Sequence, residues 1–120
     1  MSSPVLTIDV AHPPRHPDQV EQELLDAWQK IRNSPEFCVL KIIHGHGSGG
    51  KGGSTRDTVR NWAFRQKGKF LAIIPGEEYT LFHDDTARLR REVGAFPDPD
   101  LGSPNPGITI AWVKERAKER

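Results

Sequence analysis

The stretch Ile42-Ile43-His44-Gly45-His46-Gly47-Ser48-Gly49-Gly50-Lys51-Gly52-Gly53-Ser54-Thr55-Arg56-Asp57-Thr58-Val59-Arg60-Asn61-Trp62 decides how this chain is read. It opens inside an apolar run, Phe37–Ile43, broken only by Lys41, which reads as a central, buried strand. His44–Gly53 then places six glycines among ten residues. Ser54 or Thr55 is placed to cap a helix whose Thr55, Val59, Trp62 and Ala63 share one face. A strand that runs through glycines into a helix N-terminus suits an anion. The glycines let the backbone approach closely, and the unpaired N–H groups of the first helical turn donate to it. Lys51 and two histidines add side-chain donors to that geometry.

Working outward toward the N-terminus, Asn33-Ser34-Pro35 ends the preceding element, because proline cannot continue a helix. That element begins at Pro17, with Asp18 and Glu21 in its first turn, where a helix dipole favours acids. Val20, Leu24, Ala27, Trp28 and Ile31 recur at helical spacing and form one apolar stripe. Val5–Val10 reads as a strand, and the proline-rich Ala11–Pro17 as a loop. Toward the C-terminus, Gly68 is expected to close the second helix and Lys69–Ile74 to form a third strand. Pro75–Asn105 reads as an insertion carrying a short helix over Asp84–Val93, with Leu89 and Val93 turned inward. Gly107–Val113 returns to a strand, and Lys114–Arg120 is a charged tail. The order predicts an α/β domain spanning residues 1–120, with strands separated by helices lying parallel and the last strand pairing antiparallel in a mixed sheet.

Composition fits one soluble domain: 120 residues, 35% hydrophobic and 28% charged. No apolar run is long enough to span a membrane, and Met1–Val10 lacks the pattern of a secretory signal. Cys38 is the single cysteine, which excludes an internal disulfide; it reads as a small core residue in a reducing, cytoplasmic setting. The net charge of +1 is unevenly spread. Residues 1–40 carry three basic and six acidic side chains, residues 41–69 seven and one, and residues 70–120 seven and nine. The basic excess therefore coincides with the glycine loop and the helix after it, a pattern that attracts polyanions.

Two nucleotide motifs fit the loop literally and fail in context. Gly45-x-Gly47-x-x-Gly50 satisfies the dinucleotide fingerprint, but it follows the second strand and Val59–Phe70 supplies no acidic residue for a ribose. Gly45 to Gly50-Lys51 resembles a triphosphate loop, but Gly52 stands where a hydroxyl should hold magnesium. A small-molecule nucleotide cofactor is therefore not expected.

The segment from Ile42 to Gly49, continued by Gly52 to Trp62, resembles the second signature of the Smr (small MutS-related) domain. That signature is a His-Gly-x-Gly-x-Gly loop leading into a basic helix with a valine and a tryptophan. The resemblance extends over roughly residues 4–74 and 106–114. It implies a two-layer sandwich like the C-terminal domain of translation initiation factor three: a mixed four-stranded sheet with two helices on one face. It also implies nucleic-acid binding, and in some members endonuclease activity with a divalent ion such as magnesium or manganese. The family's first signature, Leu-Asp-x-His-Gly, falls here on Ile8-Asp9-Val10-Ala11-His12. Asp9 is kept, Ala11 stands at the histidine position and His12 at the glycine position. Either His12 substitutes through a one-residue shift, or this part of the site has been lost; in extended chain such a shift reverses the side a residue faces. The alternatives to an endonuclease are a nucleic-acid-binding module without catalysis, which the altered first signature suits, and an interaction domain whose loop docks a protein partner.

The candidate site residues follow. Asp9, at a strand end, is placed to polarise a water or a metal ion beside a phosphodiester. His44 is the candidate for moving a proton near neutral pH, with His12 as a further catalytic candidate, the competing role for His44 being a hydrogen bond that fixes the loop. Gly45, His46, Gly47, Ser48, Gly49, Lys51, Gly53, Arg56 and Arg60 are the candidate phosphate contacts. His44 and His46 with His12 or His16 form a weaker metal-ligand set. Trp62 reads as core in preference to a base-stacking platform; Trp112 reads either way.

Overall fold

A computed structural model describes residues 3–46, 53–94, 96 and 98–116 of the chain, the side chains of residues 53 and 54 excepted. The elements run β1 (Val5–Asp9), α1 (Pro17–Arg32), β2 (Val39–Ile43), α2 (Gly53–Arg65), β3 (Ala72–Pro75), α3 (Asp84–Val93) and β4 (Ile108–Trp112). The sheet is mixed, in the order β1-β2-β4-β3. β1 and β2 are parallel, with Thr7 opposite Lys41. β4 pairs antiparallel with both β2 and β3. The expected α/β sandwich with a four-stranded mixed sheet is therefore the fold. One detail differs: β2 and β3, although separated by a helix, are not neighbours, because β4 inserts between them.

α1 starts where the sequence places it. His16 is its N-cap, its Nδ1 accepting from the Asp18 N–H at 3.0 Å, and Pro17 fills the first helical position, where a missing N–H costs nothing. At the other end Ser34 Oγ accepts from the N–H groups of Glu36 and Phe37, turning the chain toward β2. The stripe Val20, Leu24, Ala27 and Ile31 is buried against the sheet. α2 packs beside it through Val59, Trp62 and Ala63, and the Trp62 ring meets Phe70 edge-on at 5.7 Å. Trp62 is thus core. α2 ends at Arg65, and a single 3₁₀ turn over Lys67–Lys69 contains Gly68, so β3 begins at Ala72, later than its apolar pattern suggests. β2 likewise starts at Val39, Cys38 being a buried residue just before it.

The segment between β3 and β4 lies over the opposite face of the sheet. Leu89 and Val93 of α3, with Tyr79 and Phe96, pack on Val39, Ile74, Ile108, Ile110 and Trp112. Trp112 is buried, with the Arg88 guanidinium 4.9 Å from its ring centre. This second layer explains why β4 is buried at every position and β2 at all but Ile43, whereas β1 is only half covered. Lys41 points into the second layer and is held there by Asp98 at 2.8 Å and by Asp100. Burial alone would lower the Lys41 pKa; the bonds to Asp100 and Asp98 outweigh it and hold the ammonium above its ordinary range. Tyr79 donates to the other oxygen of Asp98 at 2.8 Å, and burial, reinforced by that bond, raises its phenol well above the usual value. Gly76 permits the chain to leave β3, since a Cβ there would lie 2.0 Å from the Asn105 carbonyl oxygen. Among the described residues no helix is long and apolar enough to cross a membrane.

Candidate functional site

The C-terminal ends of the parallel strands β1 and β2 lie side by side, and the two loops that leave them meet. Val10 N–H donates to Ile43 O at 3.0 Å, and a Cβ built on Gly45 would touch the Ala11 side chain at 4.0 Å. The tertiary structure thereby brings Asp9 and His12 next to His44, Gly45 and His46. Gly47, Ser48, Gly49 and Lys51 lie outside the described residues; Gly53 is the first residue of α2.

Asp9 closes β1 with an Asx-type turn. Its Oδ1 accepts from the N–H groups of Ala11 at 2.8 Å and His12 at 3.0 Å, and its Oδ2 sits 3.0 Å from His12 Nδ1. Slight burial pushes the carboxyl up, but these donors together hold it below its ordinary range. The His12 side chain is 75% exposed. A carboxylate on Nδ1 fixes that nitrogen as the protonated one, leaving Nε2 as the free atom of the ring.

His44 is in a different situation. It is 1% exposed, and both ring nitrogens are occupied. Nδ1 lies 2.8 Å from the Gly45 carbonyl, which can only accept, so Nδ1 carries the proton. Nε2 then accepts from the Thr109 hydroxyl at 2.8 Å, and the same oxygen accepts from Arg60 Nε at 3.3 Å. Burial lowers the His44 pKa, partly opposed by the Gly45 bond and reinforced by the charges of Arg60 and Arg56. The neutral ring is consequently a buttress. It fixes Gly45 at a φ of 84°, a conformation that favours glycine, while the N–H groups of His44 and Gly45 both donate to Gly107 O.

The remaining candidates divide by what they already hold. Arg60 binds Glu77 with both terminal nitrogens, at 3.1 and 2.5 Å, and also reaches Ile108 O at 3.4 Å. The Arg60 bonds hold the Glu77 carboxyl below its ordinary range, outweighing burial, which would raise it. Arg60 is therefore committed to tying α2 to the start of the second layer. Arg56, one turn earlier, forms no ion pair among the described residues. The His46 ring is exposed and lies against Gly107, where an added Cβ would come within 2.7 Å of it. His16 is spent on capping α1. Among the described residues no three His, Cys, Asp or Glu side chains converge into a metal-holding group.

A cleft of about 310 Å³ opens beside these loops on the uncovered part of β1. It is lined by Thr7, Lys41 and Ile43 of the sheet, by His12, Gly45 and His46 of the two loops, and by Asp100, Asn105, Gly107 and Ile108 from the end of the second layer and β4. Thr109, Gly107 and Glu77 complete the site's framework and have no signal in the local sequence. Lys41 has one, as the only charge in an apolar strand. No protein-family model matches this chain, and no curated protein and no solved structure matches it significantly.

Proposed function

We propose that this chain is an Smr-like nucleic-acid-binding domain that holds a phosphate backbone at the end of the sheet where β1 and β2 finish. The observation that carries this reading is the meeting of two loops far apart in sequence. Asp9 and His12 come to lie beside Gly45 and His46, at the root of the glycine run and close to Arg56 at the start of α2. Lys51, Arg56 and the N–H groups of the glycine run supply the attraction, and Arg60 holds α2 in place to present them. Cleavage of the bound phosphodiester falls to Asp9 and His12. Asp9 orients the imidazole through Nδ1, and the exposed Nε2 takes a proton from the water or hydroxyl whose oxygen bonds to phosphorus; as the opposite P–O bond breaks, the imidazolium returns that proton to the departing oxygen. The buried, doubly bonded His44 holds Gly45 to β4 through Thr109. A cytoplasmic setting suits the buried thiol of Cys38 and the nucleic-acid partner.

A second reading, binding without cleavage, is favoured by the commitment of His44 and Arg60 to internal bonds. One experiment separates the two. Fluorescence anisotropy with labelled single- and double-stranded RNA and DNA is followed over a salt series, and the same mixtures are run on denaturing gels with and without magnesium or manganese. Binding is expected to weaken steeply with salt, and Lys51→Ala or Arg56→Ala should each reduce the salt slope by about one. Product that disappears in Asp9→Asn and His12→Gln, with binding retained, supports the endonuclease. Binding with no product supports the module. Absence of binding to every nucleic acid at low salt defeats both.

A further inference from the structure

The two edges of the sheet are finished differently. β3 ends in Pro75, and Arg88 of α3 reaches back to the Leu71 carbonyl just before it. β1 has no proline, no lysine and no bulge between Val5 and Asp9, the devices by which edge strands avoid pairing. Its backbone directions follow from the pairing with β2. Pro4 O accepts from Cys38 and Val39, and Val10 N–H donates to Ile43 O, so even-numbered residues face β2 and Val5, Thr7 and Asp9 face outward. Of the outward groups, the Val5 N–H is taken by Ser3 Oγ and the Asp9 carbonyl by Arg15. The Val5 carbonyl, both groups of Thr7 and the Asp9 N–H have no partner among the described residues.

Those open groups match their own copies. In an antiparallel pairing centred on Thr7, Thr7 N–H meets the second copy's Thr7 carbonyl, and Asp9 N–H meets its Val5 carbonyl, each twice by symmetry. The remaining bond of this register, Val5 N–H to the other copy's Asp9 carbonyl, uses the two groups that Ser3 Oγ and Arg15 hold in the monomer, so those two contacts give way when the edges pair. Above the edge, β1 and α1 frame a groove of about 250 Å³ lined by Leu6, Ile8, Glu23, Asp26, Ala27 and Lys30. The same two-fold axis sets Leu6 against Ile8 of the other copy, and Lys30 toward the other copy's Asp26, Glu23 being held already by Arg15 at 2.8 Å. Lys30 has no ion pair among the described residues, so its charge is available.

We propose that this groove is an isologous interface, and that a second copy of the chain occupies it, joining the two sheets edge to edge through β1 and laying the two α1 helices side by side. Such a contact is self-complementary, as a two-fold dimer requires. Sedimentation equilibrium of the full chain across micromolar concentrations reads it directly. The wild type should fit a monomer–dimer equilibrium. Thr7→Pro, which removes an outward N–H at an edge position where proline is tolerated, should weaken the dimer. Lys30→Glu, a change at an exposed position whose folding is checked by circular dichroism, should weaken it by more than about tenfold through like-charge contacts. The double variant Asp26→Lys, Lys30→Glu restores opposite charges across the axis and should recover association. A wild type that stays monomeric throughout, or a dimer indifferent to both single changes, overturns the proposal. Either outcome is independent of nucleic-acid binding.

Discussion

Replacing Lys41 with methionine tests whether the second layer is pinned to the sheet by charge. The substitution keeps the length and apolar stem of the side chain and deletes only the ammonium. Lys41 is 9% exposed and its partner Asp98 4%, so the deletion leaves a carboxylate out of reach of water. Asp98 would retain the Tyr79 hydroxyl and the Asp100 N–H, whereas Asp100, at 25% exposed, can rehydrate. Removing one partner of a buried pair costs about 3–5 kcal/mol, and the two residual donors place this case near 3 kcal/mol. An unfolding entropy of about 2.1 cal/mol/K per residue makes 1 kcal/mol worth about 4 °C in a chain of this length. The expected fall in melting temperature is therefore about 12 °C, read by circular dichroism, with a matching shift of the urea midpoint at unchanged slope. A loss below about 1 kcal/mol, the range of an exposed pair, would refute the reasoning.

Other expectations follow from the same geometry. Thr109→Val keeps the shape of the side chain but leaves His44 Nε2 without a donor, and should cost about 1–3 kcal/mol in urea denaturation. The His44 pKa is lowered by folding, so its contribution to stability is complete above about pH 6.5 and is lost as pH falls through the folded-state value; the unfolded chain takes up the proton first. Urea midpoints measured from pH 7.5 to pH 5 should show that loss in the wild type and a smaller one in His44→Gln. Gly76→Ala forces a Cβ into backbone oxygens of Asn105 and Ile108 and should destabilise by at least about 1–3 kcal/mol, whereas Gly68→Ala, which meets nothing within 4 Å, should change the melting temperature little.

Much of the first layer is determined by local sequence. The stripe on α1, the His16–Pro17 start and the Ser34–Pro35 stop are short-range patterns, and each chooses its element without help from the rest of the chain. The glycine loop between an apolar strand and a basic helix is equally local, so its position was legible before any fold was known. Other features depend on residues far apart in sequence. β4 inserts between β2 and β3 because a strand with two apolar faces gains most at the centre, once the segment after Pro75 covers the second face. That segment's role could not be read from its prolines and glycines, since its anchor is a lysine in another strand. Lys41 looked like an interruption of an apolar run and proved to be a fixed charge waiting for Asp98 and Asp100.

The site divides in the same way. The residue types at Asp9, His12, His44 and His46 marked a chemistry, but spacing along the chain did not rank them. Burial ranks them. His44 lies under β4 and spends both nitrogens on Gly45 and Thr109, while His12, one position displaced from the expected signature, has an oriented ring and an exposed Nε2. The sequence by itself determined where glycines and basic charge gather; the packing of β4 against β2 decided which histidine is open to solvent, because burial and hydrogen-bond partners are properties of neighbours that the local sequence does not contain.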